Sequence, residues 1–507
     1  MIAVIDYGCQ YTQLIARRIR EQNVYSKIFH HSVTLDEFEN LDGIILSGGP
    51  SSTYNSKAPQ IDKAILESNI PLLGICYGMQ LMLHNAGGKV AKGQGEYGYS
   101  KIINGTESPL FENFLDNSSV WMSHGDEVTN VGKEFKVIAR SSNDVIAAIQ
   151  HKNKPHYGVQ FHPEVVHTIS GKIFIQNFLF RIADCIEDWI STYLISDAVK
   201  AIKEKVGDKK VVTGISGGVD STVVGTLLHN AIGNRSKCVF INTGLLRKNE
   251  EDQILNLMKE TRLNVERYDF SYRFLGALKN VIDPEKKRKV IGEQFIRCFE
   301  IVAEDAEFLA QGTLYPDVVE SGSNTAATIK SHHNVGGLPD DMQFKLIEPL
   351  KDLFKDEVRI LGKELGLPDV VLNRQPFPGP GLAVRILGEV TYDRLQILQE
   401  ADKIFLDILE DQKNNSQIPK YLMEDIWQAF AVLIPNKTVG VMGDTRTYEN
   451  IIALRAITSE DGMTADWADL PYELLGRCST EIINNVKGVN RVVYDITSKP
   501  PGTIEWE

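Results

Sequence analysis

Short apolar runs punctuate the first ~185 residues: IAVID (2–6), GIILSG (43–48), PLLGIC (71–76) and YGVQF (157–161). Their β-branched, unalternating composition predicts buried strands. Between the first two, TQLIARRIREQ carries apolar positions at helical spacing. Strand–helix alternation of this kind predicts a mostly parallel sheet covered on both faces. A second register opens with KVVTGIS (210–216), a glycine turn, the helix-like STVVGTLLHNAI and the strand KCVFINTG (237–244), together a βαβ unit. Residues 187–200 read as an amphipathic helical bridge. Beyond RQPFPGPGLAVR (374–385) the prolines interrupt any helix or central strand. The last ~120 residues then mix a helix over 389–410 with strand-like KTVGVMG and NRVVYDIT. Three domains are expected, over 1–186, 187–382 and 383–507.

Composition narrows the class. The chain has 507 residues, long enough for roughly three to four domains. Its 43% hydrophobic and 24% charged content is that of a globular protein. The net charge of −13 argues against nucleic acid as the main partner. No apolar run approaches the ~18 residues of a membrane span, and the opening MIAVIDYGCQ lacks a signal-peptide pattern. The six cysteines form no CxxC pair, so neither a disulfide framework nor a zinc site is expected. These features predict a cytoplasmic protein without membrane contact.

Gly74-Ile75-Cys76-Tyr77-Gly78 follows a strand and opens a helix. Small residues on both sides permit the strained turn that exposes a nucleophile, and a helix N-terminus favours a thiolate. A lone cysteine is usually structural, but the paired glycines weigh against that. A thiol nucleophile needs a base and an orienting group. His162-Pro163-Glu164 supplies both: proline favours extended geometry in the residue before it, and residues i and i+2 of an extended chain share a face. Ser47-Gly48-Gly49-Pro50 is a candidate oxyanion hole, because glycine lets backbone N–H groups approach a reacting carbonyl.

Ser216-Gly217-Gly218-Val219-Asp220-Ser221-Thr222 joins a strand to a helix and can form a phosphate nest. It lacks the Gly-Lys-Ser/Thr of a Walker motif, which excludes the usual γ-phosphate grip.

GICYGMQ, SGGP, WMSHGDE (121–127) and GVQFHPE together resemble class I glutamine amidotransferase domains, in order and spacing. The resemblance implies that Cys76 attacks the glutamine amide, His162 shuttles protons, Glu164 orients it, and Gly48, Gly49 and Gln80 hold the oxyanion and substrate. SGGVDS resembles the loop of N-type ATP pyrophosphatases, which grips the β,γ-pyrophosphate so that AMP is transferred. There Ser216 through Thr222 would bind ATP as co-substrate, and Asp220 would help hold Mg2+.

QGTLYPD (311–317), IKSHHN (329–334), PFPGPGL (376–382) and KPPGTIEWE (499–507) resemble the GMP synthetase family, a match that spans the chain. It implies an α/β protein: an amidotransferase domain with a mixed, largely parallel sheet, a Rossmann-like pyrophosphatase domain and a C-terminal α+β dimerisation domain. The implied reaction adenylates XMP with ATP and aminates it with ammonia from glutamine. The implied XMP and lid contacts are Arg288, Lys330, His332, Lys499 and Glu505, and the implied assembly is a homodimer through the C-terminal domain. Two positions depart from the family pattern: Cys9 stands in place of serine, and Gly95 in place of a basic residue. An adenylating amidotransferase of another kind, such as an NAD synthetase, shares the chemistry but not IKSHHN or the terminal motif. A ligand sensor without catalysis would need neither the triad nor SGGVDS.

Overall fold

A computed structural model describes residues 1–104, 107–114, 117–165, 167–189, 191–322, 341–414, 426–442, 444–459, 465–499 and 501–507. The chain forms two compact units. Met1–Tyr193 makes up almost all of the first; Leu194–Ser321 and the described residues from 341 onward make up the second.

The first unit is built on a nine-stranded sheet: β1 Ile2–Asp6, β2 Ser26–His30, β3 Gly43–Leu46, β4 Leu72–Ile75, β5 Lys89–Asn104, β6 Ser119–Asn130, β7 Phe135–Ser141, β8 Ile146–His151 and β9 His156–Val159. Their order is β2-β1-β3-β4-β9-β8-β7-β5-β6. The first five are parallel, and the rest extend the sheet antiparallel from β9. Every residue of β3, β4 and β9 is buried, which is why these strands read as continuous apolar runs. β4 and β9 lie side by side with Ile75 opposite Val159. Cys76 and the Gln160–His162 segment therefore leave the same carboxyl edge of the sheet, where open α/β sheets place their sites.

The long β5/β6 hairpin has a register shift between Lys92 and Glu96. Gly95 sits in it at φ +74°, and a Cβ there would fall 2.8 Å from the His124 carbonyl oxygen. Both facts favour glycine over the basic residue of the family pattern.

The bridge begins later than its apolar spacing suggests. Its helix is Ser191–Val206, and residues 186–189 have no regular structure. Trp189 instead stacks on Tyr25 at 4.6 Å beneath the Arg20 guanidinium, and its N–H donates to the Asn23 carbonyl oxygen at 2.8 Å. Aromatic burial against the first unit outweighs local helix periodicity here.

The second unit contains a five-stranded parallel sheet of β10 Val211–Gly214, β11 Ser236–Asn242, β12 Val265–Asp269, β13 Phe308–Ala310 and β14 Lys345–Ile347, ordered β12-β11-β10-β13-β14. A smaller mixed sheet follows, in which β16 Thr445–Thr458 pairs with β15 Ile426–Met442, β17 Asp466–Trp467 and β18 Val489–Tyr494. One apolar core runs from Val212 and Phe274 through Leu382 and Ala383 to Phe405, Ile452 and Ile482. PFPGPG is part of that packing rather than a free linker: Gly381, at φ +61°, lies so close to Leu245 that a Cβ would meet its carbonyl oxygen at 2.4 Å. Among the described residues, no helix is long and apolar enough to cross a membrane.

Candidate active sites

Cys76 occupies the turn between β4 and the helix Tyr77–Asn85 with φ 50° and ψ −106°, a conformation costly for any residue with a side chain. The flanking glycines make it possible. A Cβ on Gly74 would fall 2.6 Å from the Gly78 carbonyl carbon, and one on Gly78 would fall 2.5 Å from the Leu46 carbonyl oxygen. The Cys76 N–H donates to the Val159 carbonyl oxygen at 2.7 Å, which ties the turn to β9.

His162 and Glu164 come to the same place. His162 Nδ1 lies 2.7 Å from Glu164 Oε1, and both side chains are buried. Arg18 donates to the Glu164 main-chain oxygen at 3.0 Å, and Tyr11 packs edge-on against the imidazole with centroids 5.2 Å apart. Burial alone would lower the His162 pKa. The Glu164 carboxylate and hydrogen bonds with Cys76 and Glu164 outweigh it and raise it to about 10. The ring is therefore held as imidazolium beside the thiol.

Gly48 faces both groups. A Cβ on it would lie 3.2 Å from the His162 ring and 3.6 Å from Cys76 Cβ, so any larger residue would crowd both side chains. Gly49 is required by Tyr7, whose carbonyl oxygen would be 2.7 Å from a Cβ. Ser47 anchors the loop: its hydroxyl accepts from the Tyr7 N–H and donates to the Gly48 carbonyl oxygen. Gln80 is almost fully buried, with its amide nitrogen donating to the Asp126 carbonyl oxygen and to Gln160 Oε1.

Two neighbours of the sulfur had weaker signals in the sequence. Gln160, inside the GVQFHPE motif, donates to Cys76 Sγ at 3.5 Å. Cys9 Sγ would be 3.1 Å from the same Cβ on Gly48, so a second thiol borders the site. Burial, then the Glu164 charge, push the Cys9 thiol far above the usual range.

In the second unit, the Ser216–Thr222 segment follows β10 and runs into the helix Val219–Ile232. Ser221 Oγ accepts from the Ser216 N–H at 3.2 Å and donates to the Gly218 carbonyl oxygen at 3.1 Å, which closes the loop into a nest. Gly217 has φ +76°, and a Cβ on it would fall 2.2 Å from the Arg374 guanidinium. Arg374 thus covers the loop while its other nitrogen donates to Glu250 at 2.8 Å. Lys355 donates to both oxygens of Asp220, at 2.7 and 2.5 Å. Arg374 was legible only as the first residue of RQPFPGPG, and Lys355 carried no motif of its own.

Magnesium bound with nucleotide phosphates usually takes one or two protein carboxylates and leaves its other positions to phosphate and water. Asp220, whose two oxygens are both held by Lys355, would meet that need once Lys355 yields one of them. Among the described residues, no group of three His, Cys, Asp or Glu side chains forms a complete metal cage.

Three of the remaining expected contacts, Arg288, Lys499 and Glu505, lie in or against the C-terminal segment. Glu505 takes a bidentate pair from the fully buried Arg385, at 3.0 and 2.8 Å. Arg288 donates to the main-chain oxygen of Glu507, and the buried Lys287 pairs with the Glu507 carboxylate. Trp506 donates to Asp495 at 2.9 Å, so the tail is docked rather than frayed. The Lys499 main chain pairs with Ala465. Lys330, His332 and the rest of IKSHHN lie outside the described residues.

The family models that match are "Glutamine amidotransferase class-I" over residues 3–182, "NAD synthase" over 192–298 and "GMP synthase C terminal domain" over 417–506. A Clostridium botulinum protein named GMP synthase [glutamine-hydrolyzing] is 52% identical over 100% of this chain and 99% of its own. One of the same name from Carboxydothermus hydrogenoformans is 54% identical with the same coverage. Among solved structures, a glutamine amidotransferase from Thermotoga maritima covers 36% of this chain and 97% of its own at 18% identity. Its TM-score of 0.30 is too low to bear on the fold. Identity above one half along the whole of both chains places this protein in the glutamine-hydrolysing GMP synthase family.

Proposed function

We propose that the protein is a ligase that makes GMP from XMP, using ATP for activation and glutamine as nitrogen donor. The observation that carries the reading is the joining of a complete Cys76–His162–Glu164 constellation to a pyrophosphatase-type loop in one chain of this family. The "NAD synthase" match covers only the ATP-activating segment, a chemistry the two enzymes share. The C-terminal match and the full-length relatives favour XMP as acceptor.

In the first unit, the Cys76 thiolate attacks the side-chain amide carbon of glutamine. The N–H groups of Gly48 and Gly49, preorganised by the Ser47 anchor, donate to the developing oxyanion. His162 gives its proton to the departing nitrogen and ammonia leaves. The ring, held by Glu164, then takes a proton from water, which hydrolyses the glutamyl thioester to glutamate. Gln80 borders the glutamine pocket.

In the second unit, the 216–222 nest binds the β,γ-phosphates of ATP and leaves the α-phosphorus open to the XMP oxygen. Asp220 would hold Mg2+, which when bound neutralises charge on the pyrophosphate. Arg374 and Lys355 add positive charge at the loop. Arg288, Lys499 and Glu505 are assigned to the XMP pocket, and Lys330 and His332 to the segment covering it. Ammonia then displaces AMP to give GMP.

A homodimer through the C-terminal sheet is part of the proposal. Val439, Val441 and Tyr448 line one face of the β15/β16 hairpin and are 51%, 73% and 59% exposed, an apolar strip suited to a second copy. Sedimentation velocity tests this: Val441→Asp should yield monomer, and an unchanged sedimentation coefficient would remove this hairpin from the interface.

The experiment for the reaction is an assay with XMP, ATP, magnesium and either glutamine or ammonium, scored for GMP and AMP. Both products should form from both nitrogen sources. Cys76→Ala should lose only the glutamine-driven reaction, and loss of both in a folded variant would refute the division of labour.

A further inference from the structure

We propose that Gln160 is a further catalytic residue of the glutaminase, its amide donating a hydrogen bond to the Cys76 sulfur, and that Gln80 fixes which end of that amide faces the sulfur. The inference rests on the assignment of Cys76 as nucleophile.

The two ends of a glutamine amide look alike in shape, and only the surrounding hydrogen bonds distinguish them. Here those bonds leave one arrangement. The Asp126 carbonyl oxygen can only accept, so the Gln80 group 3.0 Å away is its nitrogen. That same nitrogen lies 3.1 Å from Gln160, so the Gln160 atom facing it is its oxygen. The remaining end of the Gln160 amide, 3.5 Å from Cys76 Sγ, is therefore the NH2 group. Gln160 is fully buried and Gln80 nearly so, which keeps bulk solvent from competing for these bonds.

The arrangement distinguishes the two protonation states of the sulfur. A protonated thiol can donate to the Ser123 carbonyl oxygen at 3.7 Å, whereas a thiolate is repelled by it. The thiolate needs donors, and the Gln160 N–H supplies one alongside the His162 imidazolium. Hydrogen bonds to a charged group exceed those to a neutral one, so Gln160 favours the reactive form. Gln80 touches no reacting atom in this relay and acts as a positioning residue.

The test uses the full-length protein and a chloroketone analogue of glutamine, with Cys76 labelling followed against pH. Wild-type protein comes first: absence of Cys76 labelling would refute the nucleophile assignment, and the inference with it. Given labelling, Gln160→Leu should raise the midpoint of the rate profile by about one pH unit, slowing labelling about tenfold below the midpoint with recovery at high pH. Gln160→Glu keeps an acceptor for Gln80 but replaces the donor with a carboxylate, and should raise the midpoint further. Because it preserves shape, it carries the test if circular dichroism shows the leucine variant unfolded. Gln80→Leu, which frees the Gln160 amide to rotate, should give a smaller upward shift. An unchanged midpoint in Gln160→Glu, or slower labelling at every pH with the midpoint fixed, would overturn the proposal and leave Cys76 as the nucleophile.

Discussion

Replacing Glu164 by glutamine removes one charge at nearly constant volume, and the structure says how much should follow. The carboxylate lies 2.7 Å from His162 Nδ1, with the two side chains 0% and 4% exposed. Raising the imidazole from 6.5 to about 10 corresponds to about 5 kcal/mol of preference for the protonated ring. Breaking one side of a buried ion pair typically costs about 3–5 kcal/mol. Because the folded-state pKa lies above the unfolded one, this stabilisation is fully present below about pH 6.5 and is lost as pH rises through about 10. Urea unfolding of wild type and Glu164→Gln, followed by circular dichroism, should therefore differ by about 3–5 kcal/mol in the affected transition at pH 6. The gap should close as pH passes 10. Glutaminase turnover at neutral pH should fall by up to roughly 10²–10⁴-fold, the range that general acid–base catalysis contributes. A stability gap that stays constant from pH 6 to above 10 would refute the ion pair as its source.

Gly78→Ala places a methyl 2.5 Å from the Leu46 carbonyl oxygen, a main-chain atom that cannot swing away. It should lower stability by about 1–3 kcal/mol and abolish Cys76 labelling; a thermal melt and the labelling assay check both. Burial and the Glu164 charge keep Cys9 protonated, so peptide mapping after a short electrophile pulse should find label on Cys76 and almost none on Cys9. Arg385→Leu would strand the Glu505 carboxylate and release the aromatic contact with Phe430, whose centroid is 4.1 Å from the guanidinium. Denaturant melts should show a loss of about 3–5 kcal/mol, which Arg385→Lys restores only in part because it lacks the fork.

Two candidate centres could be proposed from the sequence because each depends on local backbone geometry. A cysteine at φ 50° between strand and helix requires small neighbours at fixed offsets, so GICYG announces the turn. SGGVDS likewise needs a glycine at φ +76° to turn its N–H groups inward. His162 and Glu164 meet across a local turn at Pro163–Glu164, so their proximity, Nδ1 to Oε1 2.7 Å, is set within three consecutive residues. Strands such as GIIL and LLGI were legible because burial on both faces leaves only apolar residues. The sequence thus determined these strands and the sharp turns that follow them.

What it could not determine was which distant groups meet. β4 and β9 are separated in the chain by strands β5 to β8 but adjacent in the sheet, and only that pairing sets Gln160 against Cys76. Lys355 reaches Asp220, Arg374 covers Gly217, and Arg288 and Glu505 turn to Glu507 and Arg385 through contacts spanning more than a hundred residues. No periodicity records these contacts, because a long cation can satisfy any nearby carboxylate and burial alone decides which one is available. Trp189 makes the same point at the bridge, where packing on Tyr25 overrides a helical pattern. Local geometry wrote the motifs into the sequence, and the choice of partners was left to the packed fold.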